Sequence, residues 1–316
     1  MGLLFGASGS LSILAAQTTD PAETIRVDSN LVDLRVSVVR LKPETTVSSL
    51  EPKDFLVLED GKPQEIVFFA GEEAPFDLVL LLDLSGSTAD KLKLIRSSAK
   101  RFVESTRPMD RVAVITFTDI LQIESPLTWD RKFLKQAIED IEKPFGGTNF
   151  WDSLLFVMER VLPTQKTDRR GAIVVMTDGV DNALPDVFGE GSRRSFPELM
   201  EVLGRSETII FPIYLDTENE SVKRNKVPRE AFATARLQLM QLADTSGTTM
   251  YRANKVKDLD RVYDQIIRDL ATVYSLGYKP TNQLRDGKWR SVMVQLVGRH
   301  DVSARAKRGY YAKAEP

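Results

Sequence analysis

Four apolar runs, separated by stretches of helical period, decide most of what this chain can fold into. They are "FDLVLLLD", "RVAVITF", "GAIVVMTD" and "ETIIFPIYLD". A strand that is apolar at nearly every residue has no face for water and must be covered on both sides. Between and after these runs, "ADKLKLIRSSAKRFVEST", "DRKFLKQAIEDIE", "FWDSLLFVMERVL" and "EAFATARLQLMQLADTSG" space their apolar residues as helices do. "VKDLDRVYDQIIRDLATVY" closes the series as a further helix. The alternation predicts an α/β fold: an open, doubly wound, mostly parallel sheet with helices on both faces. "QIESPLTW", with its internal proline, reads as an antiparallel edge strand.

The ends of the chain follow a different rule. "IRVDSNLVDLRVSVVRL" alternates apolar and polar residues, and "DFLVLEDGKPQEIVFFA" reads as two strands about an Asp60–Gly61 turn, with no helix evident. "WRSVMVQLVG" and "DVSARAKRGYYA" alternate again at the other end. A few strands with one apolar face need something to pack on. The expectation is a small all-β domain built from residues 24–74 and 280–316 packing together, with an α/β domain over 75–279 inserted between them. "DTENESVKRNKVPRE" and "DVFGEGSRRSFPE" read as polar, mobile loops. Residues 1–23 are apolar and rich in small residues, with no charge before Asp20. They suggest an export leader cleaved near Ala16–Gln17, although the basic start of such a leader is missing, and are too short for a membrane span. A secreted, periplasmic or cell-envelope location follows as an expectation.

Composition removes several chemistries. Cysteine is absent, so no thiolate metal site, catalytic Cys or disulfide exists. One histidine, His300, excludes a multi-histidine zinc centre, and no Ser or Asp motif accompanies it, so it reads as an exposed loop residue. Forty-three basic against 45 acidic residues, with no basic block, gives no reason to expect nucleic acid.

What remains is oxygen. In an open α/β sheet, ligands bind at the carboxyl ends of the strands. Three segments should meet there: Asp83, Ser85 and Ser87 of "DLSGS", Thr148 of "FGGTNFWDSL", and Asp178 of "VVMTDGVDNA". Each alone has a plain explanation, as a helix cap or a turn. Together they supply two acids and three hydroxyls, a donor set that suits Mg²⁺, Mn²⁺ or Ca²⁺. Two carboxylates only just neutralise a divalent ion, which leaves a position for an external carboxylate. Asp152 and Asp181 lie nearby in sequence, either as acceptors orienting the hydroxyls or as ordinary charges in a helix's first turn. Trp151 reads as a core aromatic or a rim for a partner.

"DLSGS", "GGT" and "TDG", in that order on alternating strand–helix units, resemble the metal-ion-dependent adhesion site of von Willebrand factor type A domains. The resemblance covers about residues 76–272, and Asp83, Ser85, Ser87, Thr148 and Asp178 match the five positions that family uses. The flanking "DFLVLEDGKPQEIVFF", "YSLGYKP", "DGKWRSVMVQL" and "RGYYA" resemble a bacterial group of related proteins with short β flanks and export signals. The resemblance implies a non-enzymatic, metal-dependent protein-binding module, its cation, Mg²⁺ foremost, bridging to an acidic residue of a protein partner. Two alternatives remain: a metal-dependent phosphohydrolase and a purely structural envelope scaffold. The first lacks a P-loop, a Gly-x-Ser-x-Gly elbow and a histidine base, and Asp83 is followed by Ser85 where an Asp-x-Asp nucleophile pair needs its second acid.

Overall fold

Strand β5 (Phe76–Asp83) is buried at all eight residues and organises the larger half of the molecule. In the computed structural model, which describes residues 31–40, 49–71, 73–86, 88, 91–142, 146–162, 169–223 and 227–314, this strand lies inside a six-stranded sheet. Its partners are β6 (Arg111–Phe117) on one side and β8 (Arg170–Thr177) on the other, both parallel. Beyond β8 come β9 (Ile209–Leu215) and the short β10 (Tyr251–Ala253), also parallel. Beyond β6, the edge strand β7 (Leu121–Thr128) runs antiparallel, carrying Pro126 where no inner ladder needs its N–H.

Side-chain alternation on β5 explains the two helical layers. Leu78, Leu80 and Leu82 point to one face and pack with Ile95 and Phe102 of α1 (Leu92–Ser105) and Ile266 of α7 (Leu259–Leu270). Val79 and Leu81 point to the other. There they join Leu154 of α3 (Phe150–Phe156), Leu199 of α4 (Phe196–Arg205) and Leu239 of α6 (Arg229–Ser246). Burial of a Leu or Val contributes about 1.5–3 kcal/mol, so both faces are secured by apolar area rather than by the polar strand ends. Helix α2 (Arg131–Asp140) starts on Asp130, which accepts the Phe133 N–H at 2.9 Å, and adds Leu134 and Ile138 to the α1 side. Past α3 the chain makes a π-helical turn over Val157–Val161.

The flanking segments form two four-stranded sheets around a third core. One has the order β13–β1–β11–β4, from Val302–Arg305, Val32–Arg40, Val273–Tyr278 and Ile66–Ala70. The other runs β14–β12–β2–β3, from Gly309–Tyr311, Trp289–Leu296, Phe55–Glu59 and Lys62–Gln64. Leu34, Val36, Phe55, Val57, Tyr274, Leu276 and Val292 meet between them, and the Phe55 and Tyr274 rings lie 5.3 Å apart. The β2–β3 hairpin turns on Asp60 and Gly61, with φ of 48° and 77°, the conformation for which Asp-Gly is suited.

Four expectations need correction. The last helix does not run through "ATVY": it ends at Leu270, where the Thr272 hydroxyl bonds the Asp269 carbonyl at 3.0 Å. The β-branched and aromatic residues that follow become β11, a strand inside the flanking sheet rather than part of the 75–279 unit. Residues 24–74 contain a short 3₁₀ turn at Pro52–Asp54. "DTENESVK" holds a helix, α5 (Glu218–Lys223). The leader, residues 1–23, lies outside the described residues.

The chain crosses between the two halves near Ala74 and again before Val273. Arg170, 2% exposed, donates to the carbonyls of Ala74 and Val273 and lies over the Phe76 ring at 4.3 Å. Thr272 completes the second crossing by accepting from Val38 N–H at 3.0 Å. Both crossings sit at the amino ends of the parallel strands. The opposite, carboxyl end is left to the candidate site.

Candidate functional site

Chain order reverses at β5. The strands that follow it in sequence run outward on one side, and β8 returns to the other side, so a crevice opens above the carboxyl ends of β5 and β8. Asp83 ends β5, fully buried, and Asp178 directly follows β8, 3% exposed. The Asp83 carboxylate accepts the Ser85 N–H at 2.9 Å and the Thr177 hydroxyl at 2.6 Å, and the Ser85 hydroxyl also bonds it. Thr88 closes the turn from beneath, its hydroxyl 3.0 Å from the carbonyls of both Asp83 and Ser85. Asp178 accepts the Thr217 hydroxyl at 2.6 Å and the Val180 N–H at 3.1 Å.

Burial, and next the charge of Asp178, push the Asp83 carboxyl up to about 7. Bonds from Thr177 and Ser85 oppose the rise without cancelling it. Two carboxylates at adjacent strand ends thus share a space where both cannot ionise cheaply.

Thr148, on the loop before α3, is bonded to the loop that leaves β8. Its backbone is clipped at both ends by Asn182: Thr148 N–H donates to Asn182 Oδ1 at 3.1 Å, and Asn182 N–H donates to the Thr148 carbonyl at 3.0 Å. Asn182 lies four residues beyond Asp178, so the clip joins the Thr148 loop to the loop leaving β8. A Cβ on Gly147 would stand 2.5 Å from Asn182 Nδ2, which is why glycine precedes the threonine. Of the five positions expected to converge, Asp83, Ser85 and Asp178 stand together and Thr148 is tied to them through Asn182. Ser87 lies outside the described residues.

Asp181 and Asp152 act on backbone more than on the expected hydroxyls. Asp181, fully buried, accepts the N–H groups of Trp151, Ala183 and Ser192 at 3.0, 2.8 and 2.9 Å, and the Ser192 hydroxyl at 2.5 Å. Asp152 accepts from Arg193 and Arg194 N–H at 2.8 and 3.0 Å. These bonds fasten residues 181–194 onto the start of α3, so "DVFGEGSRRSFPE" is a clamped loop rather than a mobile one. Trp151 is 6% exposed and packs against Phe196 at 6.0 Å, inside the core and not on a rim. His300 is an exposed residue of the turn between β12 and β13.

Thr177, Thr217, Asn182 and Ser192 were not singled out from sequence. Thr217 carried a readable signal: "IYLDT" repeats the pattern of an apolar run ending in oxygen donors seen in "LLLDLS" and "VVMTD". Asn182 and Ser192 carry none, because the partners that tie them to the α3 end of the site, Thr148 and Asp152, are 34 and 40 residues away.

Residues 78–180, from β5 to the loop after β8, match the family model for the von Willebrand factor type A domain. The chain contains a von Willebrand factor type A domain. It is 24% identical over 256 residues to the UPF0353 protein of Nocardia farcinica, covering 74% of this chain and 72% of that relative. Its fold is similar to that of proximal thread matrix protein 1 from the mussel byssus, solved with a zinc-occupied MIDAS motif. That match has a TM-score of 0.50 and 17% identity over 67% of this chain and 50% of the mussel chain, so this chain spans about half of the mussel protein. The vWF domain of the type V pili tip protein Mfa5 from Porphyromonas gingivalis matches with TM-score 0.47 and 16% identity, over 62% of this chain and 94% of that one. No described helix is long and apolar enough to cross a membrane.

Proposed function

We propose that the type A domain is a metal-dependent protein-binding module, with Asp83, Ser85, Ser87, Thr148 and Asp178 holding a divalent cation, Mg²⁺ foremost. The observation that carries this reading is the pairing of Asp83 and Asp178, two buried carboxylates whose mutual repulsion a cation would relieve. The donors fit such an ion: all are oxygens, the acids come from rigid strand ends, and the hydroxyls add dipoles without charge. The mussel protein's zinc-occupied motif supports the same class of site here, without fixing the metal. Bound there, a divalent cation would supply an electrophilic position for a partner's carboxylate.

The protein's own groups prepare that position. Thr177 and Thr217 each donate to one carboxylate, fixing its orientation, and Asn182 fixes the backbone that carries the Thr148 hydroxyl. A binding role is favoured over hydrolysis because the sequence's one histidine, His300, lies in the β12–β13 turn and Ser85 stands where an Asp-x-Asp nucleophile pair starting at Asp83 would need its second acid. We further propose that the domain runs from β5 to α7 and that the two flanking sheets form one β-domain through which it is displayed. An envelope location rests on the leader-like residues 1–23 alone.

Calorimetric titration of the intact chain with Mg²⁺ and Mn²⁺, set against a folded Asp83→Ala variant, tests the metal assignment. Saturable binding by the wild type that Asp83→Ala abolishes is the expected result. Equal affinity in both would end it.

A further inference from the structure

Phe188 is 94% exposed and Ile120 is 73% exposed, the two most exposed large apolar side chains among the described residues. Single exposed apolar residues are ordinary. These two are set apart by where they stand and how firmly they are held.

Phe188 sits in the loop clamped by Asp181 and Asp152. Its carbonyl accepts from Asn182 Nδ2 at 2.9 Å, so one side-chain amide bonds Phe188 with its nitrogen and Thr148 with its oxygen. Glycines make the close packing possible: at Gly189, with φ of 113°, a Cβ would lie 2.4 Å from Asn182 Nδ2, and at Gly191 it would lie 1.8 Å from the Ala183 nitrogen. The neighbouring Val187 packs into the core while Phe188 faces water. Ile120 stands in the β6–β7 turn. That turn is closed by Thr118 N–H to the Ile120 carbonyl at 3.0 Å. It is tied to the Thr148 loop by Asn149, whose Nδ2 donates to the Asp119 carbonyl at 3.0 Å.

We propose that Phe188 and Ile120 are the specificity anchors of the site, and that its partner is a protein segment bearing an acidic side chain flanked by large apolar ones. This rests on the metal-bridged reading above, which supplies the demand for the acid. Charge complementarity fixes the centre of the partner, since only an anion answers a cation held by Asp83 and Asp178. The two apolar side chains, each on a loop bonded to the Thr148 loop, fix its flanks. Anchors on a hydrogen-bonded loop lose little freedom on binding, the condition under which a single aromatic contributes most to affinity.

The test is selection of displayed random dodecapeptides on the full chain in Mg²⁺, repeated on Phe188→Ser and in chelator. Wild type should enrich peptides with Asp or Glu beside Leu, Ile, Phe or Trp. Phe188→Ser, with Mg²⁺ affinity as its folding control, should keep the acid, lose the apolar preference and bind the best wild-type peptide about tenfold or more weakly. An unchanged motif on Phe188→Ser, or an empty selection on wild type, overturns the anchors. Enriched peptides that bind equally in chelator overturn the metal bridge instead. Mg²⁺-dependent binding to phosphatidylserine vesicles that Phe188→Ser abolishes would overturn the assignment of a peptide partner.

Discussion

Asp83→Asn should make the metal-free protein more stable while removing its metal affinity. Asp83 is fully buried with its carboxyl raised to about 7, against an ordinary 3.8. A raised carboxyl binds its proton more tightly when folded, so stability falls as pH climbs from the ordinary value to the raised one. At about 1.4 kcal/mol per pH unit, that loss reaches about 4 kcal/mol above pH 7. Asparagine removes the charge and keeps one acceptor for the Ser85 N–H. Its amide turns towards the Thr177 hydroxyl, which already accepts from Gly179 N–H at 2.8 Å and must find a new acceptor, at a cost of about 1–2 kcal/mol. The variant should therefore be more stable than wild type by about 2–3 kcal/mol at pH 8 in chelator, with the advantage gone near pH 5. Saturating Mg²⁺ should reverse the order, since free ion at about a thousand times Kd adds about 4.1 kcal/mol to wild type alone. Urea unfolding of both proteins at several pH values, with chelator and with Mg²⁺, measures each quantity. A variant no more stable than wild type at pH 8 in chelator, or a difference that ignores pH, refutes the reasoning.

Asp181→Asn replaces one of two acceptor oxygens that together take four bonds, and should cost about 2–4 kcal/mol with faster amide exchange in residues 183–194; protection that does not change would show the clamp is dispensable. Arg170→Met removes the guanidinium donor of the Val273 carbonyl and one of two at the Ala74 carbonyl, where Arg107 still donates at 3.0 Å, and should cost about 1–3 kcal/mol in urea unfolding, loosening the junction between the halves. Asp77 is pushed up by burial, but bonds from Arg111 and Arg169 outweigh that and hold its carboxyl below the ordinary value. Asp77→Asn should accordingly cost about 3–5 kcal/mol at neutral pH. The difference should be present above the ordinary carboxylate range and should vanish as acid titrates Asp77 in the folded protein, which unfolding at pH 7 and at pH 2–3 will compare.

The sheet was legible because its signal is local: a run such as "FDLVLLLD" can satisfy its apolar residues only when covered on both faces. Asp83, Ser85 and Asp178 were legible for a related reason, since oxygen donors at the end of a buried strand project into the crevice the fold creates. Val273 and Tyr274, the first two residues of the strand Val273–Tyr278, read as helix because "ATVY" continues the helical spacing of "DQIIRDL", and only pairing with β1 and β4 makes them strand. Asn182 and Arg170 were invisible in the sequence, because their partners lie on other elements, up to 103 residues away in the Arg170–Val273 pair. Polar residues whose work is tertiary leave no periodicity to read.

The two layers of the site answer to different physics, and that makes them separable. Its floor is the end of the most buried strand in the sheet, where the cost of keeping Asp83 charged is also what makes the site demand a cation. Moving either acid would require moving β5 or β8, each held by parallel neighbours on both sides. The rim is carried on loops, yet its key residues hang on side-chain bonds from Asn182, Asp181 and Asn149, whose loss leaves the sheet untouched. Substitution of Phe188 or Ile120 can therefore change the partner without changing the ion, whereas substitution of Asp83 removes the ion and, with it, whatever the rim selects. A chain built this way can keep one metal chemistry and vary its partner by exchanging two exposed side chains.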